Sequence, residues 1–263
     1  MTRHYRRLLD ILLFCLSWLG LIWLVLNGSE QLGYSWHWHQ IPGFLGSFDA
    51  GGFRAGPLVR GLVVTLKITG TSLLLAAAIG LISALLRLSG SPVARTLAAV
   101  YVESIRNTPL LVHIFFLYFV MAPILDIGRF ATAVLALSLF EGAYACEIIR
   151  AGIVSLQRGQ WEAAYSLGLS RFDTYRTVIL PQAIKRVLPP LTSQAISLIK
   201  DSALVSTIAV YDLTMEGRTI IAETFLTFEV WFSVAALYLM LTLCLSGGVA
   251  LLEQRFGEVD VVR

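Results

Sequence analysis

The chain has 263 residues, of which 57% are hydrophobic and only 14% charged, where soluble domains carry about a quarter charged. With a mean hydropathy of +0.75, this composition excludes an ordinary soluble domain and describes a polytopic membrane protein. A formal net charge of +3 is too small to argue for nucleic acid as a partner. Cys15, Cys146 and Cys244 lie in apolar runs without a C-x-x-C pair, so buried small hydrophobes are expected, not a disulfide framework or a zinc site.

Arg3, Arg6 and Arg7 precede an apolar run from Leu8 to Leu26. The run is close to the ~20 residues that a span needs. No small-x-small cleavage site follows it, which favours an uncleaved helix over a signal peptide. The basic flank is expected to hold the N-terminus in the cytoplasm. In the Gly- and Trp-rich stretch from Asn27 to Pro57, Trp36, His37, Trp38 and His39 fit an aromatic belt at one membrane face; His37 and His39 alone are a weak metal pair.

A second span is predicted from about Leu58 to Leu86. Thr65, Thr69 and Ser72 share one helical face, as do Gly80 and Ala84, a pattern that suits close packing in lipid. Lys67 can snorkel to the outer surface. A basic segment from Arg87 to Arg106 opens with the turn Ser89-Gly90-Ser91-Pro92. Asn107-Thr108-Pro109 marks the start of a third span, to about Leu125. The fourth, about Phe130 to Ile149, carries Glu141 near its middle, and Glu147 can pair with Arg150 at i,i+3. A carboxylate inside a span is costly, which makes Glu141 a functional candidate; a carboxyl hydrogen-bonded between helices is the alternative.

Arg150 to Pro190 is the one long polar stretch. Trp161, Ala164, Tyr165 and Leu169 recur at helical spacing, and Gly168 suits the left-handed residue that ends a helix. Ser170 and Asp173 form a capping-box-like start for a second short helix, whose apolar face is Phe172, Tyr175, Val178 and Ile179 and which Pro181 is expected to interrupt. Two short amphipathic helices joined by a glycine turn fit either insertion into a partner's groove or a position along the lipid headgroups.

Pro189-Pro190 is expected to open a fifth span, to about Val210. Lys200 then lies about 15 Å along the axis from Pro190, near the middle of a core ~30 Å thick, where it calls for a polar partner from another helix. Ser193, Ser197, Lys200 and Asp201 make a polar stripe suited to a wet path or to a helix–helix lock. An acidic segment from Tyr211 to Glu229 precedes a sixth span, about Val230 to Leu252, and a charged tail. About six spans put both termini on one side, and fourteen Lys and Arg in the proposed cytoplasmic segments against four outside make that side the cytoplasm.

Glu162-Ala163-Ala164, three residues, Gly168, nine residues, then Val178-Ile179-Leu180-Pro181 resembles the cytoplasmic loop motif of bacterial ABC-importer permeases, E-A-A-x3-G-x9-I-x-L-P. Val178 stands where the family usually has Ile. Arg106-Asn107-Thr108-Pro109-Leu110-Leu111-Val112 after Glu103, Ala143-Tyr144-x-x-Glu147-x-x-Arg150, and Leu198-Ile199-Lys200-Asp201-Ser202-Ala203-Leu204 are similar to stretches of the polar amino acid subfamily. That subfamily often has Gln at the place of His113 and Thr-Ser at Ser202-Ala203.

The resemblance covers roughly Gly61 to Leu252. It implies an all-α polytopic bundle with the type I ABC-importer permease fold: residues 1–57 as N-terminal segment, first span and outer loop, 58–252 as a five-span core with the coupling loop 150–190, and 253–263 as a cytoplasmic tail. It further implies ATPase coupling through Gly159, Glu162, Ala163, Ala164, Gly168, Leu180 and Pro181. Glu103, Glu141, Ser197, Lys200 and Asp201 are the candidates for the translocation path or substrate, with a helix lock as the open alternative for Glu141 and Lys200. The implied partners are an ABC ATPase dimer carrying ATP and Mg, a second permease copy or a sister chain, a periplasmic or surface solute-binding protein, a polar amino acid, and the lipid of the bacterial inner membrane.

No cofactor site is expected in the chain itself. A P-loop needs Gly-Lys, whereas Lys67, Lys185 and Lys200 follow Leu, Ile and Ile. Neither H-E-x-x-H nor G-x-S-x-G occurs, which argues against an intramembrane enzyme. An ion-coupled secondary transporter using Glu141, Lys200 and Asp201 is the rival reading, disfavoured by the lack of a clear repeat.

Overall fold

A computed structural model describes residues 3–31, 34–49 and 52–256. The chain forms two compact units, residues 1–40 and 41–263. In the first, α1 (Arg3–Gln31) contains the predicted first span, and every side chain from residue 9 to 24 is exposed, the habit of a helix that is apolar all round. Trp36 and Trp38 of the predicted belt stack with centroids 5.8 Å apart.

The second unit opens with α2 (Ile41–Leu45) and a hairpin of β1 (Gly46–Asp49) and β2 (Gly52–Ala55). Pro57 starts α3 (Pro57–Leu88), and the predicted turn after it leads into α4 (Pro92–Arg106), capped by Ser91. Only a basic segment was legible there; the structure makes it an amphipathic helix that buries Ala98 and Val102. α5 (Leu110–Phe116), a π segment at Leu117–Met121 and α6 (Ala122–Leu125) follow, bent by 107° from α4. Then come α7 (Arg129–Val154), α8 (Arg158–Ser166), α9 (Arg171–Asp173), a second π segment at Thr174–Ile179 and α10 (Leu180–Asp201). A 3-10 stretch at Ser202–Ile208, α11 (Leu213–Thr224) within the acidic segment, and α12 (Thr227–Phe256) complete it.

Three of these expectations are corrected. Pro181 does not interrupt, and Pro189-Pro190 do not open a span, because helical backbone runs from Arg171 through all three prolines to Asp201. Pro181 lies two residues beyond the π segment, just after Leu180, whose N–H reaches back five residues to Tyr175 O; the widened turn eases the clash that a proline ring makes with the preceding turn. Pro189 and Pro190 remain inside α10 at the cost of two backbone hydrogen bonds.

Length and composition alone single out fewer helices than the six expected spans. Among the described residues, α3, α7 and the 227–250 part of α12 are long and apolar enough to cross a membrane, and the bent α4 to α6 pair makes a fourth if counted as one span. α1 has a shorter apolar stretch, Leu9–Leu24, and α10 carries Lys185, Arg186, Lys200 and Asp201. Finally, Cys146 is buried as expected, but Cys15 and Cys244 lie on exposed apolar faces, where a small thiol sits as easily as in a core.

α3 and α7 are the central pair. Small residues let them approach: a Cβ added at Gly80 would lie 2.6 Å from the Ala145 Cβ. The Ser72 hydroxyl donates to Val134 O at 3.3 Å and Ser138 to Ser72 O at 3.4 Å, satisfying buried hydroxyls across the seam. Around this pair Ile68, Ile114, Leu137, Leu198, Val205 and Ile208 form the main core. A second cluster joins Ile41, Leu58, Leu213, Ile220 and Val230. Beside it, buried Asp212 caps α11 by accepting the Met215 N–H at 2.8 Å and receives the Tyr238 hydroxyl at 3.3 Å, while Leu213 N–H donates to Thr65 Oγ1 at 3.1 Å. Gly80→Val is expected to cost ~1–3 kcal/mol by overpacking the seam. Thermal unfolding in detergent checks this against Gly70→Val, where an added Cβ meets nothing within 4 Å.

Candidate coupling loop and translocation cavity

The loop is a continuation of α7. Leu156 is buried with Ile179 and Ala183, and Arg186 donates to Ser155 O at 2.8 Å, so both ends of the loop are tied to α10. Gln157 sits at the N-cap of α8, which carries Gly159, Glu162, Ala163 and Ala164. Ala164 is the buried residue of this helix, whereas Gly159, Glu162 and Ala163 are exposed.

α8 ends as predicted. Gly168 has φ +77, its N–H bonds to Tyr165 O at 2.9 Å, and Leu169 N–H bonds to Ala164 O at 3.2 Å. This pair of bonds is a Schellman closure, and φ > 0 is the conformation that favours glycine there. Ser170 accepts the Asp173 N–H at 3.2 Å and donates to Asp173 Oδ2 at 2.6 Å, so the capping-box-like start is present too. Trp161 meets Tyr175 edge-on at 4.9 Å and Gln182 donates to Gln160 at 3.2 Å, fastening α8 to the π segment and to α10. What remains outside is an apolar tip: Leu167 is 80% and Phe172 70% exposed. Leu180 and Pro181 are exposed at the start of α10.

Above the loop, the predicted Glu147–Arg150 ion pair forms and is joined by Arg87 from α3 at 2.7 Å. The sequence spacing pointed only to the local partner, since nothing in it places residue 87 beside residue 147. Arg106 lies over the Tyr144 ring, 5.4 Å from its centroid.

Deeper in the bundle, α3, α7 and α10 enclose a cavity of about 220 Å³ lined by Leu73, Ala76, Glu141, Ala145, Leu191 and Gln194 among others. Glu141 is only 3% exposed, and its Oε1 has no hydrogen-bond partner. Gln194, Ser197 and Asp201 recur at i, i+3 and i+7 on one face of α10. Asp201 stands within electrostatic range of Glu141, and Lys200 within range of Asp201. Gln194 carried no sequence signal; only the three-helix packing reveals it.

Of the path candidates only Glu141 is in the cavity lining; Ser197, Lys200, Asp201 and Glu103 are not. Glu103 is exposed on α4 and accepts from Asn107 at 3.1 Å. Lys200 is exposed and enters none of the ion pairs among the described residues, although Asp201 stands within electrostatic range of it.

The helical bundle thus pushes out a capped, apolar-tipped loop and encloses a largely apolar cavity with Glu141 and Gln194 in its wall. Residues 76–258 match the family of binding-protein-dependent transport system inner membrane components. The chain is 41% identical over 201 residues to the glutamine transport system permease protein GlnP of Escherichia coli, covering 75% of this chain and 92% of that one. It is 42% identical over 164 residues to the L-cystine transport system permease protein TcyB of Bacillus subtilis, covering 62% and 70%. A crystal structure of an amino acid ABC transporter superposes with a TM-score of 0.72 at 39% identity, over 76% of this chain and 94% of that one. The MetNI methionine ABC transporter, at 20% identity and a TM-score of 0.64, shares the fold. The chain belongs to the binding-protein-dependent transport system inner membrane component family, and it is a multi-pass membrane component of a transport system.

Gly168→Val is expected to destabilise the closure of α8 by about 1–2 kcal/mol, because a β-branched residue resists φ > 0. Hydrogen exchange at residues 168 and 169 reads this as faster exchange, with the α3–α7 core unchanged.

Proposed function

We propose that this chain is the permease subunit of an ATP-driven importer for a polar amino acid, coupled to a separate ATPase through residues 159–181. The observation that carries the proposal is the Schellman-closed α8, which holds Glu162 and Ala163 outward beside the exposed Leu167 and Phe172. An apolar tip on a rigid, twice-capped base suits insertion into a groove of a soluble subunit. ATP and Mg belong to that subunit, and this chain performs no hydrolysis. Binding of ATP closes the ATPase pair, draws the docked loops together and biases the spans between outward-open and inward-open states.

The cargo path runs past Glu141, with Gln194, Ser197 and Asp201 of α10 as polar neighbours, Lys200 beside them and Glu103 nearer the loop side. The Glu141 carboxylate matches the ammonium group common to amino acids, and the unpartnered Oε1 leaves an acceptor for it. Relatives named for glutamine and cystine transport support the amino acid class. Two permease chains, identical or sister, close around a two-fold axis, and a solute-binding protein delivers cargo on the outer face. The distribution of basic residues supports a cytoplasmic position for both termini. The secondary-transport reading, which needs no ATPase, is not favoured by the match to a binding-protein-dependent family.

Glu162→Lys and Gly168→Asp are expected to reduce co-purification of the ATPase while leaving membrane abundance unchanged; wild-type recovery of the ATPase contradicts the docking assignment. Glu141→Ala is expected to slow uptake about tenfold or more, equivalent to about 1.4 kcal/mol. Proteoliposome uptake with the full transporter measures it, and wild-type kinetics contradict a path through this cavity.

A further inference from the structure

We propose that the β1–β2 hairpin is a lipid anchor whose Phe48 and Phe53 face sits in the headgroup–acyl boundary of the bilayer, at the level where α3 begins. The register pairs Gly46 with Ala55, Ser47 with Arg54 and Phe48 with Phe53. Residues opposite one another in an antiparallel pair project to the same side, and neighbours along a strand to opposite sides. One face therefore carries Gly46, Phe48, Phe53 and Ala55, and the other carries Ser47 and Arg54. The two rings meet at 5.3 Å, yet Phe48 is 84% and Phe53 57% exposed.

A two-stranded hairpin has no core of its own and is marginal in water. Each ring taken out of water is stabilised in proportion to its apolar area, so the bare face has a strong preference for an apolar surrounding. What supplies it follows from where the hairpin is fixed. Gly56 N–H donates to Leu45 O at 2.9 Å and closes the base. Ile41 of the preceding α2 packs with Leu58, Leu213 and Val230, which holds that base against the ends of α3, α11 and α12.

Gly56 alone separates β2 from α3, a helix long and apolar enough to cross a membrane. Four residues of strand reach about 13 Å, so the aromatic pair stays close to the end of a spanning helix. Interfacial amphipathic elements seat their apolar side about 5–10 Å into the headgroup–acyl boundary and leave their charges in the wet layer. The Phe face and the opposite Ser47 and Arg54 face divide in that way. Val63 and Leu66, on the first turns of α3, are exposed and apolar as well.

The test uses the full-length chain with Cys15, Cys146 and Cys244 replaced by serine, reconstituted in vesicles of phosphatidylethanolamine and phosphatidylglycerol. Spin labels are placed one at a time by Ser47→Cys, Phe48→Cys, Phe53→Cys and Arg54→Cys. Collisions with lipid-soluble oxygen and with a water-soluble nickel chelate are then compared. The expected result alternates along the strands: oxygen collisions exceed nickel collisions several-fold at 48 and 53, and the order reverses at 47 and 54. Equal nickel access at all four sites overturns the proposal. So does protection of 48 and 53 that develops only when a solute-binding protein is added, which assigns the face to that protein instead. The labels at 47 and 54 leave both rings in place, so they carry the test even where labelling at 48 or 53 distorts the hairpin.

Discussion

The close approach of α3 and α7 is the constraint from which the rest of the structure follows. Gly80 against Ala145 sets the separation of the two helices, and the Ser72 and Ser138 hydroxyls tie them without leaving a buried donor unsatisfied. In a membrane there is no hydrophobic force to press helices together, so small residues and interhelical hydrogen bonds have to supply the attraction. That seam places Arg87 against Glu147 at one level and the wall of the Glu141 cavity at another. A change in the seam is therefore felt both at the cavity and at the loop.

Mechanical coupling has a continuous route from there. The loop is joined at one end to α7 through Ser155 and buried Leu156, and at the other to α10 through helical backbone that is not interrupted from Arg171 to Asp201. Both α7 and α10 line the cavity. Displacement of the loop by a soluble partner must therefore move two of the three cavity walls, unless the helices yield first. The π segment and the two internal prolines mark where α10 has lost regular hydrogen bonds and bends most readily. Gln160, Gln182 and Arg186 hold the loop to α10 from outside the cavity lining.

Local chemistry was legible in the sequence, and geometry between distant residues was not. Gly168 and Ser170 announced a helix end and a helix start because left-handed backbone and N-capping each select a narrow set of residue types, and the fixed spacing of Glu162, Ala163, Ala164 and Gly168 pointed to the family. The small-residue face of α3 was readable for the same reason. The prolines misled: a proline is a breaker in water, but a π turn and the surrounding helices keep the run from Arg171 to Asp201 helical. α4 and α11 were hidden because their amphipathic patterns are short and carry charges, which read as polar connections. Arg87 with Glu147, Asp212 with Tyr238, and Gln194 beside Glu141 each join segments far apart in the chain, and no periodicity can encode such a meeting.

The proposed docking of the loop is most directly tested by a cryo-electron microscopy map of the transporter assembled with its ATPase in lipid. The expected result is that Glu162, Ala163 and Leu167 lie buried in a groove of the nucleotide-hydrolysing subunit, with Gly168 still closing α8. A map that leaves these residues in solvent, or on the membrane face opposite the ATPase, contradicts coupling through this loop.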